Sequence, residues 1–237
     1  MPWLRQLPRW AWFGTGVLAL IAGLVNAAGY LGFRHESISN MTGNTSLLGI
    51  ALGTADGGEA AHWALAIGAF VLGTMLSGMI VQQSTLKLGR RYGVALTLES
   101  LLLFAAVPFL DASNSIGLYL ASVAMGLQNG MVSAYSGAVI RTTHVTGIFT
   151  DLGISLGHVL RGLPVDRLRL RVCILVATTF MFGGAMGALL FEHMREQALL
   201  IPAVLTGACG LGYGAYRQYC LTRGIGDESS KSAVGDP

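Results

Sequence analysis

NMTGNTSLLGIALG (Asn40–Gly53) and HVTGIFTDLGISLG (His144–Gly157) are two versions of one pattern. Thr42, Gly43, Gly49 and Gly53 recur as Thr146, Gly147, Gly153 and Gly157 at an offset of 104 residues. Ahead of them GLVN (Gly23–Asn26) recurs as GLQN (Gly126–Asn129) at 103, so one residue of slippage reconciles the two offsets. The chain reads as one domain, residues 11–216, built of two homologous halves, 11–110 and 115–216. A short segment, 1–10, precedes it. A tail, 217–237, follows, and its polar end GIGDESSKSAVGDP (Gly224–Pro237) is expected to be disordered.

What surrounds the pattern is apolar. Of 237 residues 53% are hydrophobic and 11% are charged, far below the roughly 25% charged of an average soluble domain. The 33 glycines fit helices packed closely in lipid, where small side chains let backbones approach. Runs long enough to cross about 30 Å of hydrocarbon lie at 11–33, 61–81, 93–110, 115–140, 172–191 and 197–216. With both termini cytoplasmic, 13 of the 15 Lys and Arg residues fall on the cytoplasmic side, leaving Arg34 and Arg195 outside. This places the chain in the cell inner (cytoplasmic) membrane, with the lipid bilayer as its main partner and no nucleic acid expected.

The two repeated stretches do not fit among the six spans. Each offers about a dozen helical residues, some 18 Å, too short to cross. Had both crossed, the acidic loop TADGGEA (Thr54–Ala60) would lie inside and Lys87, Arg90 and Arg91 outside, against the charge bias. The expected fold is all-α and polytopic, with six transmembrane helices plus two short re-entrant half-helices. Three spans per half invert one half relative to the other, the inverted repeat of many transporters.

Gly43 and Gly147 permit a turn at the bottom of each re-entrant segment, and Thr42, Thr45, Thr146 and Thr150 are suited to cap the half-helices that climb back. Non-helical backbone at that depth requires burial in protein or a water-lined cavity. A midplane solute site follows, formed by Asn40, Thr42, Gly43, Asn44, His144, Thr146, Gly147 and Thr150, with Asn26, Gln128 and Asn129 from the preceding spans. Two helix N-termini favour an anionic or hydrogen-bonding solute. Asp151 offsets that preference or binds a coupling cation. Glu99, the one acid well inside a full span, is the other coupling candidate. Asn26 and Asn129 can equally serve as hydrogen-bonding glue between helices, and Glu99 can equally pair with nearby arginines. His62 and His158 lie toward segment ends and read as interfacial.

Gly153-Ile-Ser155-Leu-Gly157 matches the nucleophile-elbow spacing, but that motif needs a strand-to-helix turn, and the other half has Ala51 in place of Ser155. What repeats is glycine spacing, a packing signal. Cys173, Cys209 and Cys220 lack metal-ligand spacing. Phosphate loops and dinucleotide fingerprints do not occur. Neither an enzyme nor a cofactor or metal is expected.

SNMTGNTSLLGIALG (Ser39–Gly53), GLQNG (Gly126–Gly130) and RTTHVTGIFTDLGISLG (Arg141–Gly157) resemble the YoaK-type family of bacterial integral membrane proteins, a domain of unknown function, from about Trp12 to Tyr216. The resemblance implies a six-helix inner-membrane protein and an Asp in many members where this chain has Asn26. It supplies no substrate. A small-solute transporter is therefore the first reading, a passive channel or facilitator the second, and a membrane scaffold or accessory subunit the third. Self-association is compatible with all three.

Overall fold

The computed structural model describes residues 9–32, 36–81, 91–136 and 141–222, and these contain helices and no strand. In chain order they are α1 (Arg9–Gly32), α2 (Met41–Gly53), α3 (Gly57–Ile80), α4 (Arg91–Asp111), α5 (Ser115–Ser136), α6 (Val145–Leu160), α7 (Arg167–Met194) and α8 (Leu200–Thr222). A 3-10 turn, Arg195–Leu199, joins the last two. The calls for residues 1–8, 33–35, 82–90, 137–140 and 223–237, the tail included, lie outside the described residues.

Helix starts follow local chemistry. The Asn40 carboxamide accepts from the Gly43 amide and so caps α2, while Asp56 and Asp166 each take two amides at the starts of α3 and α7. Four stretches are long and apolar enough to cross a membrane: Trp12–Gly32, Gly57–Ile80, Arg91–Asp111 and Arg167–Tyr216, the last holding both α7 and α8. The 22-residue α5, which carries Gln128 and Asn129, is not one of them. At 13 and 16 residues, α2 and α6 extend only about 20 and 24 Å.

Close glycine contacts set the packing. A Cβ on Gly23 of α1 would overlap the Phe180 carbonyl of α7, and one on Gly183 of α7 would overlap the Leu20 carbonyl of α1. The same exchange joins α5 to α3, where Gly126 abuts the Phe70 carbonyl and Gly73 the Val123 carbonyl. Every member of the first set maps onto the second by a shift of 103 residues for α1 to α5 and 110 for α3 to α7. The first helix of each half thus packs on the second long helix of the other half. Gly93 and Gly210 meet reciprocally where α4 crosses α8.

These contacts also fix directions. From Gly16 beside Leu175 to Gly32 beside Phe191, α1 and α7 run parallel, and α3 and α5 do likewise from His62 beside Tyr119 to Ser77 beside Gly130. The Gln128 amide reaches the Leu18 carbonyl at 2.8 Å. At the opposite end Ile38 packs on Gly29 of α1 while its carbonyl accepts from Ser122 of α5. Hence α1 and α5 are antiparallel, and α1 and α3 run in opposite directions.

The core lies along α1 and α5, with Ile21, Val25, Ala121, Ala124 and Met125 fully buried in the larger cluster. By contrast α6 buries no residue and α2 buries only Asn44 and Ala51. Gly49, Gly53, Gly153 and Gly157 have open space where a side chain would stand. The repeated glycine spacing, read from sequence as packing, therefore faces away from the rest of this chain.

Candidate functional site

A cleft of about 500 Å³ opens against the C-terminal halves of α1 and α7. Gly23, Asn26, Phe180 and Gly184 form its helical wall; Ser37, Ser39 and Asn40 enter from the connector before α2, and Thr143, Val145 and Thr146 from the start of α6. Both repeated stretches therefore begin at the same cavity. Its described lining offers hydroxyls, amides and the rings of Tyr30 and Phe180, and among those residues there is no Asp, Glu, Lys, Arg or His.

Two asparagines hold the connectors in place. Asn26 accepts at Oδ1 from the Ser39 amide (2.9 Å) and the Ser37 hydroxyl (3.2 Å), and donates from Nδ2 to Ser39 Oγ at 2.7 Å. Its repeat partner Asn129 accepts from the Thr143 hydroxyl at 2.9 Å and from Thr142 at 3.5 Å. Gln128 adds a 3.2 Å bond to Thr142, while its own carbonyl oxygen is buried without a hydrogen-bond partner among the described residues. The amides thus shape the cleft by fastening backbone, and their hydrogen-bonding capacity is largely committed to that task.

Of the residues expected at the site, Asn26, Asn40 and Thr146 line the cleft. Gln128 and Asn129 sit behind it, each under a tenth exposed. Asn44 is buried and reaches the Ser37 carbonyl at 3.4 Å. Gly43 lies against the Asn40 carboxamide and Gly147 against the His144 ring, so both admit the turns that precede them. Thr42, His144 and Thr150 are exposed and are not among the lining residues, and Thr150 bonds its own helix at the Thr146 carbonyl. Thr150 lies beyond the first turn of α6, whereas Thr42 in the first turn of α2 and His144 at the cap of α6 stand at the right level but outside the lining, the His144 ring lying against Gly147.

The coupling candidates stand apart from the cleft. Asp151 receives a two-pronged bond from Arg169, at 2.8 and 3.1 Å, which occupies both of its oxygens. Glu99 is fully buried in α4, and neither carboxylate oxygen has a hydrogen-bond partner among the described residues. It neither snorkels nor pairs with Arg91, whose side chain is exposed. No group of three or more His, Cys, Asp or Glu residues suited to a metal occurs among the described residues.

One cluster escaped the sequence. His62 bonds Glu36 through Nε2 and Tyr119 through Nδ1, both at 2.8 Å. Glu36 is 5% exposed and His62 11%, so His62, toward a segment end as expected, is packed against partners there. A histidine one turn into a helix carries no periodic signal that would announce a partner 26 residues earlier.

The model of a family described as "Protein of unknown function (DUF1275)" matches residues 15–212, from α1 through most of α8. The UPF0700 transmembrane protein YoaK of Bacillus subtilis (strain 168) is 31% identical over 141 residues, covering 57% of this chain and 63% of that protein. The match thus spans less than two thirds of that relative's length. No solved structure matches.

Proposed function

The chain belongs to the DUF1275 family, and we propose that it is a membrane-embedded transporter that passes a small hydrogen-bonding solute through the cleft walled by α1 and α7 and by the segments that open α2 and α6. The observation that carries this reading is the convergence of Asn40 and Thr146, from the two repeated stretches, on one cavity along the C-terminal halves of α1 and α7. A relative named as a transmembrane protein and the four long apolar stretches support the membrane location. The Lys and Arg bias of the loops favours cytoplasmic termini in an inner membrane.

Six spans with α2 and α6 re-entering is the topology proposed. Opposed directions of α1 and α3 support it, because a crossing by α2 would leave them parallel. The same parity holds for α5 and α7 around α6. Glycine contacts repeated between halves favour two homologous units in inverted orientation, and broken helices meeting at midplane suit alternating access. An uncharged described lining favours a neutral solute over an anion. A helix terminus contributes about 0.3–1 kcal/mol toward a charge, less than the several kcal/mol that desolvating an ion costs.

The test is a panel of neutral polyols, amides, small carboxylates and inorganic anions, read as thermal stabilisation of the solubilised protein. A solute at 100 times its Kd stabilises by about 2.7 kcal/mol. The proposal expects a hit that weakens in Thr146→Val and Asn40→Ala. No hit in the panel, or one unaffected by both changes, removes the cleft as the site.

A further inference from the structure

Glu36 immediately precedes Ser37, and the connector 36–40 forms one wall of the cleft. That connector is tied to α1 by Asn26 and to α5 by the Ile38 carbonyl. The Ser37 carbonyl accepts from Asn44 of α2, and Glu36 ties the connector to α3 through His62, which also bonds Tyr119 of α5. Trp63, 6% exposed, sets its ring edge-on to the imidazole with centroids 5.0 Å apart. One histidine therefore bridges the cleft wall and two helices of the bundle, and imidazole is the side chain that changes charge between about pH 5 and 8.

We propose that the Glu36–His62–Tyr119 cluster is a proton-binding site whose occupancy sets how firmly the cleft wall 36–40 is held to the helices. With the ring neutral, Nε2–H donates to the Glu36 carboxylate and Nδ1 accepts from the Tyr119 hydroxyl. On proton uptake at Nδ1 both ring nitrogens donate, the Tyr119 oxygen becomes an acceptor, and its own hydrogen turns to another partner. The cluster's charge goes from −1 to zero. The Glu36 bond, already made to an ionised acceptor, gains a charged donor as well, and the buried carboxylate acquires a positive charge within the cluster. Proton release reverses both effects and loosens the wall.

Other charged or titratable side chains at this end of the bundle are Asp56 and Glu59 at the start of α3, Asp111 at the end of α4, Glu192 and His193 in the last turn of α7, and Arg195 and Glu196 in the 3-10 turn that follows. Arg34 and His35 lie outside the described residues. The cluster has no counterpart in the other half, where His62 maps to Val172 and Tyr119 to Gly16. The three-residue cluster thus stands at one wall of the cleft; at the other wall His144 caps α6 between the lining residues Thr143 and Val145 and is left unchanged by substitutions at Glu36 or His62. The purpose rests on the transport reading, but the measurement does not.

Amide hydrogen exchange of residues 36–40 in the solubilised full chain, with no solute present, tests it at about pH 5.5 and about pH 8. Comparing parent with His62→Gln at each pH cancels the intrinsic pH dependence of exchange. The expected result is exchange about tenfold slower in the parent at the lower pH, the order of effect of a strengthened charge-assisted bond, with the two converging at the higher. A parent-to-variant ratio equal at both pH values overturns the proposal and leaves a plain structural bond. Glu36→Gln, near-isosteric, must abolish the same pH dependence, and it carries the test alone should His62→Gln fail to fold; pH dependence persisting in it also overturns the proposal. An empty solute panel would remove the transport reading and leave this outcome standing.

Discussion

The Gln128 carboxamide of α5 donates to the Leu18 carbonyl of α1 at 2.8 Å, joining residues 110 apart and fixing two buried helices in opposite directions. Gln128→Leu removes this bond and the one to Thr142. Interhelical hydrogen bonds in membranes contribute about 0.6–2 kcal/mol, so a loss of that size in detergent unfolding is expected, with no change in the number of spans.

Gly23→Ala and Gly126→Ala place a methyl group against the Phe180 and Phe70 carbonyls, which cannot withdraw as a side chain would. Each should destabilise by about 1–3 kcal/mol. Gly49→Ala and Gly153→Ala meet open space, and should stabilise by up to about 1 kcal/mol through helix propensity. Thermal melts of the four variants check the contrast.

Asn26→Leu strips the Ser39 amide and the Ser37 and Ser39 hydroxyls of their partner. A buried group left unsatisfied costs about 1–3 kcal/mol. Faster amide exchange at residues 37–39 and weaker solute binding should appear together; intact binding beside faster exchange would show that the connector does not shape the site.

Arg169→Ala breaks the pair with Asp151, whose partners are 62% and 29% exposed. The stability loss should stay below about 1 kcal/mol. Asp151→Asn should leave solute-induced stabilisation unchanged, because neither residue lines the cleft; a lost response would restore Asp151 as a coupling residue.

Much of this arrangement was legible in the residues. The offset of 104 located both short helices, and Gly23 with Gly126 marked the closest helix contacts. The matching Phe70-to-Gly73 and Phe180-to-Gly183 spacing went unread because its offset of 110 differs from that of its neighbours. Thr42, Asn44 and Thr150 were drawn into the site by proximity in sequence, yet helical phase turns them elsewhere. Asn26 and Asn129 fasten the connectors, and of the two only Asn26 lines the cleft, a division that composition alone left open. Glu36 and His62 meet only because the connector folds back onto α3, and such a tertiary pairing leaves no periodic trace.

Labelling of single cysteines by a membrane-impermeant maleimide in intact cells tests the topology most directly. Thr54→Cys after α2, Leu163→Cys after α6 and Gln197→Cys after α7 stand at exposed positions. If α2 and α6 re-enter, Thr54→Cys and Gln197→Cys react from outside and Leu163→Cys reacts only after permeabilisation. Thr54→Cys and Leu163→Cys behaving alike, opposite to Gln197→Cys, would mean that both short helices cross the membrane, and would contradict the inverted arrangement.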